Sequence, residues 1–196
     1  MNKNSLRILS LPERFRNSLL FLFFRFDKWH ISPSGNRMYP KDIISYCNSL
    51  KNRTTVCEIG CGLADTLSKI KAKKRIGFDR DRNVLKAATW LHRKRLNLEF
   101  DYFSFPETKL KTSFDILIAV NWLHNIDNQT IQAVFTDYFN KHLTDQGVLI
   151  VDAVNHPNYL YYHNFAEYFA DINCTIHEIG SYQSNRKLIA IHKTSK

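Results

Sequence analysis

Glycine is scarce in this chain, six among 196 residues, and so are proline (five), cysteine (four) and methionine (two). So few glycines and prolines exclude a collagen-like or low-complexity chain, and a 44% hydrophobic, 13% aromatic composition fits a folded globule with a sizeable core. Cys47, Cys57, Cys61 and Cys174 show no C-x-x-C pair, which argues against a disulfide framework and reads as reduced thiols in a cytoplasmic protein. Long apolar runs are missing too. The longest, Leu19 to Phe24, falls far short of the roughly 20 residues that span a bilayer. Arg25, Asp27 and Lys28 follow it at once, so no signal-cleavage pattern is expected. Acidic residues are outnumbered, 18 against 28 basic, for a net charge of +10. That balance favours acidic partners, such as nucleic acid, an acidic glycan or an anionic membrane, without choosing among them.

Against this scarcity, two glycines stand together in Val56-Cys57-Glu58-Ile59-Gly60-Cys61-Gly62-Leu63-Ala64-Asp65. Thr54 to Ile59 is a β-branched and apolar run of the kind that makes a buried parallel strand, and a helical pattern, Leu63 to Lys71, follows the glycines. The spacing predicts a strand–turn–helix whose backbone a ligand can approach closely. A dinucleotide fingerprint needs glycine at the sixth position counted from Gly60, where Asp65 stands, so NAD and FAD are disfavoured.

Glu58 ahead of the first glycine, with Asp79 ending a second strand (Lys74 to Asp79), resembles the motif of class I S-adenosylmethionine-dependent methyltransferases. The resemblance covers roughly residues 41 to 193. It implies that Gly60, Cys61 and Gly62 meet the methionine part of S-adenosylmethionine, that Asp79 binds the ribose hydroxyls with Arg80 beside it, and that Glu58 orients the turn or the cofactor's amino group. It also implies an acid near the end of the third strand on the adenine amino group, assigned here to Asp101 with Tyr102 as ring partner. One departure is Ala64 at the family's third small position.

The alternation of strands and helices independently predicts an α/β fold, a doubly wound, seven-stranded, mostly parallel sheet with helices on both faces. Asn83 to Lys94 reads as a helix, Leu98 to Phe103 as the third strand and Phe114 to Val120 as the fourth. Asn128 to His142 is helical, Gly147 to Val151 is the fifth strand, and a further helix opens at Asn158. Cys174 to Ile179 and Lys187 to His192, joined by a polar turn, give an antiparallel C-terminal hairpin. Asp115 sits at the wrong end of its strand for chemistry and is read as structural.

Ligands of such sheets bind outside the carboxyl ends of the strands. Asn121, Trp122 and His124 after the fourth strand, and Asp152 and His156 after the fifth, are therefore brought to one edge. Asn121 and Trp122 are assigned to the cofactor, His124 to proton removal from an acceptor, and Asp152 to catalysis beside it. Asp152 with His124 or His156 is the one conceivable metal set; no tight ligand spacing supports it, and no metal is assigned.

Residues 1–40 divide into a basic, phenylalanine-rich leader, with Arg14, Arg16, Arg25 and Lys28, and a loop from Trp29 to Pro40; residues 41–196 are the catalytic domain. The leader reads as a helical lid over the core, the alternative being an in-plane membrane contact through residues 14–28 that would make a cytoplasmic protein peripheral to the membrane. The loop is similar to the segment before the glycine motif in small bacterial methyltransferases associated with surface polysaccharides. With the Asn-Pro-Pro-Tyr signature of many amino methyltransferases missing, this implies O-methylation of a small molecule or glycan, acidic acceptors included. RNA or protein methylation, and non-catalytic cofactor binding, are the competing readings.

Overall fold

The computed structural model describes residues 11–33 and 37–194. The first ten residues of the leader, Ser34 to Asn36 of the loop, and the last two residues lie outside the described residues. Seven strands form one sheet in the order β3-β2-β1-β4-β5-β7-β6. β1 (Thr55–Ile59) is flanked in parallel by β2 (Lys74–Asp79) and β4 (Phe114–Ala119). β3 (Leu98–Tyr102) pairs parallel to β2, and β5 (Leu143–Val154) parallel to β4. β7 (Arg186–Lys193) lies antiparallel between β5 and β6 (Cys174–Tyr182).

Side chains along each central strand alternate between two buried faces, as a pleated strand covered on both sides requires. Cys57, Ile59, Leu117, Ala119, Leu149 and Val151 pack with Ile131, Phe135 and Phe139 of α4 (Asn128–His142). Val56, Ile116, Ile118, Val148 and Ile150 face the other way, onto Tyr39, Ile43 and Cys47 of α2 (Tyr39–Ser49). Asp115 holds the bottom of the sheet, accepting from the Thr55 N–H at 2.8 Å and the Thr144 hydroxyl at 3.0 Å.

The leader forms α1 (Leu11–Phe24), whose Leu20 joins Leu63 of the glycine turn and Val84 and Ala87 of α3 (Arg82–Leu91) in a third apolar cluster. Arg16 donates to Asp65 at 2.8 Å, so the residue that breaks the dinucleotide spacing is the one that ties α1 to the turn.

Two helices expected from the sequence do not form. Leu63 to Lys71 is a turn followed by one 3-10 turn, Leu67–Lys69, because Ala64 takes a left-handed φ of 58° that stops a helix before it starts. The carbonyls a helix would have paired are met by arginines instead: Arg75 donates to Ser68 O at 2.8 Å and Arg95 to the same oxygen at 2.7 Å. Residues 158–164 are irregular, and only Phe165–Tyr168 is helical (α5).

Candidate functional site

At the carboxyl ends of β1 and β2 the chain folds back on itself. The Gly60 and Cys61 N–H groups both donate to Phe78 O, at 2.8 and 2.9 Å, and Gly60 and Gly62 take φ of +78° and +53°, angles that glycine alone adopts without strain. Asp79 is buried beside them. One carboxylate oxygen accepts from Gly62 N at 2.9 Å and the other from Asp81 N at 3.0 Å, while Asp81 caps α3 by accepting from Asn83 N and Val84 N. Burial raises the Asp79 pKa, and the N–H groups of Asp81 and Gly62 pull against it.

Two cavities flank Gly60 and share Trp29, Gly60 and Asn121. The larger, of about 380 Å³, is also lined by Asp79, Arg80, Phe103, Phe105 and Trp122. The smaller, of about 80 Å³, is lined by Glu58, Cys61, Gly62, His30, Arg37 and Tyr39 among others. Glu58 is buried with one carboxylate oxygen lacking any hydrogen-bond partner among the described residues. Burial pushes its pKa up to about 8, the Leu67 N–H opposing, so at neutral pH the group is largely a neutral acid. The two acids differ in kind: on one side of Gly60 a carboxylate held by two backbone N–H groups, on the other an acid with one oxygen unpartnered that a cation would ionise.

The close-approach surface of the turn is covered from within the chain. A Cβ added to Gly60 would lie 2.7 Å from the Trp122 indole, whose N–H donates to Ile59 O at 2.8 Å, and one added to Gly62 would lie 2.8 Å from His30 Nδ1. His30 lies tilted by 31° against Trp29 with ring centroids 3.7 Å apart, and burial lowers its pKa to about 4. Nothing in the one-dimensional pattern singled out His30; the only signal was its place in a loop dense in rings.

Of the residues assigned from sequence, Gly60, Asp79, Arg80, Asn121 and Trp122 meet in the larger cavity, and Glu58, Cys61 and Gly62 in the smaller. The others line neither cavity. Asp101 and Tyr102 belong to a separate open depression with Arg82, Trp90 and Arg93, and neither lines the cavity beside Asp79. Asp101 is exposed and accepts from the Tyr102 N–H, and Arg82 lies 3.8 Å over the Tyr102 ring. Phe103 and Phe105 line the larger cavity in their place.

Asp152 is not free to act as a base. Its side chain is fully buried, one oxygen paired with the Arg186 guanidinium and the other accepting from Asn121 N at 2.9 Å. Arg186 also donates to the Asn121 side-chain oxygen at 3.2 Å, so the group fastens the loop after β4, where Asn121 holds a φ of +74°, to β5 and β7. Arg186 was missed because an arginine opening a strand reads as solvated.

His124 sits on the 3-10 turn Leu123–Asn125, outside the lining of both cavities, with Tyr159 stacked on its ring at 3.7 Å. Its Nδ1 has no hydrogen-bond partner among the described residues, and burial, helped by the Arg186 and His163 charges, lowers its pKa to about 4. His156 accepts from the Asn158 N–H at 3.2 Å. Among the described residues no cluster of three or more His, Cys, Asp or Glu side chains is placed to hold a metal ion.

No protein-family model matches the sequence, and no curated protein sequence matches it. Solved structures do. The N-methyltransferase NodS from Bradyrhizobium japonicum WM9, in complex with S-adenosyl-L-homocysteine, superimposes with a TM-score of 0.66 at 12% identity, over 81% of this chain and 86% of that one. CalS10, an amino pentose methyltransferase from Micromonospora echinaspora with S-adenosylmethionine bound, gives 0.62 at 12% identity over 88% and 94%. The magnesium protoporphyrin IX methyltransferase ChlM from Synechocystis PCC 6803, also with S-adenosylmethionine bound, gives 0.61 at 14% over 80% and 78%.

Proposed function

We propose that this chain, which has the class I S-adenosylmethionine-dependent methyltransferase fold, binds S-adenosylmethionine and catalyses methyl transfer to a small-molecule or glycan hydroxyl. The observation that carries the reading is the buried Asp79 carboxylate, held against Gly62 N at the lip of a cavity of about 380 Å³. That volume lies in the range of cofactor sites. The residues fit the group: Asp79 keeps lone pairs for two ribose hydroxyls, and the unpartnered Glu58 oxygen suits an ammonium. The cofactor supplies a methyl activated on a sulfonium. Gly60 and Gly62 would admit it to the backbone once Trp122 and His30 shift aside.

The chain's own contribution is alignment and the exclusion of water, with Phe103, Phe105 and Trp122 walling the cavity. A hydroxyl acceptor also has to lose its proton as the bond forms. His124 is the base we assign for its place after β4 and its unpartnered Nδ1; in the structure burial holds its pKa at about 4 and makes it a weak base, and Tyr159 is the ring the acceptor would displace to reach it. The similarity of the Trp29 to Pro40 loop to that of polysaccharide-associated enzymes supports a glycan among the acceptors.

The test is twofold. Calorimetry with S-adenosylhomocysteine and NAD should show binding of the first alone, and label from methyl-labelled cofactor should appear in nuclease- and protease-resistant fractions of a cell extract. Single-turnover rates for His124→Ala should fall about a hundred- to ten-thousand-fold with cofactor affinity retained. Label only in protein or RNA would replace the acceptor while leaving the cofactor reading intact.

A further inference from the structure

The helix α1 is apolar on two opposite sides, and among the described residues only one of them is covered. Leu20 turns inward to Leu63 and Val84, and Asn17 is buried beside it. On the far side Phe15 is 68% exposed, Leu19 41%, Leu22 67% and Phe23 81%. At 100° per residue these four fall within an arc of about 100°, one continuous stripe. A contiguous exposed apolar stripe on a helix whose other side is already packed marks an interaction face.

Phe24 turns inward with Leu20 and lies 6.4 Å from Trp90 of α3. Cations border the outer stripe: Arg14, Arg25 and Lys28 are all exposed. The acids nearby are Glu13, which faces Arg16 at 4.0 Å, and Asp27. Among the described residues no helix is long and apolar enough to cross a membrane.

We propose that the outer stripe of α1 forms a docking face for an anionic lipid surface, with α1 lying in the plane of the interface. Phe15, Leu22 and Phe23 enter the boundary between headgroups and acyl chains, and Arg14, Arg25 and Lys28 meet the lipid phosphates. A rim of arginine and lysine around an exposed aromatic and leucine stripe is complementary to such a surface in both polarity and sign. The same helix is then lid on its inner face and anchor on its outer one. The proposal is independent of the reaction the protein catalyses.

The experiment is flotation of the full-length protein with vesicles of phosphatidylcholine alone or with 30% phosphatidylglycerol. Binding to the anionic vesicles should exceed binding to the neutral ones by about a hundredfold, the factor expected for three cations at about 1 kcal/mol each. The triple variant Phe15→Ser, Leu22→Ser, Phe23→Ser should lose at least about tenfold in vesicle binding while its circular dichroism and melting temperature stay near wild type. Wild-type protein that stays with neither vesicle, or a triple variant that floats as wild type does, overturns the proposal. So does a wild-type dimer in light scattering that the triple variant makes monomeric without loss of vesicle binding, which would give the face to a second copy of the chain.

Discussion

The His30 imidazole stands where a side chain on Gly62 would begin, its Nδ1 2.8 Å from the position a Cβ would take. The turn that should meet a ligand's backbone-binding end is thus met by the chain's own loop, itself held through Asn17, whose side chain donates to Ile31 O at 3.4 Å. Any ligand that reaches Gly62 displaces this ring, and the cost of displacement is subtracted from its affinity.

The first prediction follows from that competition. His30→Ala should bind S-adenosylhomocysteine several-fold more tightly than wild type, because the ring no longer has to move. Gly62→Ala should do the reverse: a left-handed alanine costs about 1–2 kcal/mol, and its methyl meets His30, so stability and binding both fall. Equal affinity of wild type and His30→Ala by calorimetry would show that the ring does not compete.

Asp79 carries the second. Asp79→Asn keeps the shape but sets an amide against the N–H of Gly62 or Asp81, so one of the two bonds is lost, and the ribose loses a charged acceptor. Cofactor affinity should drop by about ten- to a hundredfold, with a lower melting temperature, since the turn and the cap of α3 meet at this carboxylate. Unchanged affinity would sink the ribose assignment.

Much of the fold, and the position of the glycine turn within it, was legible in the sequence. The glycine pair and the acids at the ends of β1 and β2 carry their meaning in local spacing, and the β-branched runs fix buried strands, so both came out where expected. What failed depended on contacts between distant residues. Asp101 misled because which side chain near the end of β3 reaches the cavity depends on how the chain runs on past Tyr102, and it is Phe103 and Phe105 that reach it. Asp152 reached the expected edge of the sheet, but its partner Arg186 lies 34 residues further on, and no local pattern shows that pairing. The helix after Gly62 failed on one backbone angle, at Ala64.

The third prediction concerns pH. Glu58 has its folded pKa raised to about 8 from an ordinary value near 4.5, so between those limits the folded state holds a proton that the unfolded state has released. Its contribution to stability is therefore fully present below about pH 4.5 and is lost as pH rises toward 8. Glu58→Gln should flatten that part of the profile in denaturant titrations. An ammonium beside the carboxylate favours the ionised form, so cofactor binding near pH 7 should release close to one proton, read from calorimetry in buffers of different ionisation enthalpy. No proton release in wild type, or the same release in Glu58→Gln, would remove Glu58 from the cofactor site.

The last prediction separates two roles for Asp152. As a buried ion-paired fastener, Asp152 should be costly to lose alone: Asp152→Ala leaves Arg186 buried without its charge partner, which typically costs about 3–5 kcal/mol. Arg186→Met should cost a similar amount by stranding the carboxylate. Removing both together with apolar replacements, Asp152→Leu with Arg186→Met, fills the space without leaving a charge, and buried pairs replaced this way are often neutral in stability. The double variant should therefore melt nearer to wild type than either single one, a coupling that a double-mutant cycle reads directly. The Asn121 backbone N–H and side-chain oxygen lose their partners in the double variant, so modest destabilisation is expected to remain. If the pair only holds the loop after β4, cofactor affinity and single-turnover rate should recover with stability. A double variant that regains its melting temperature and binds cofactor, but stays inactive, would return Asp152 to the chemistry.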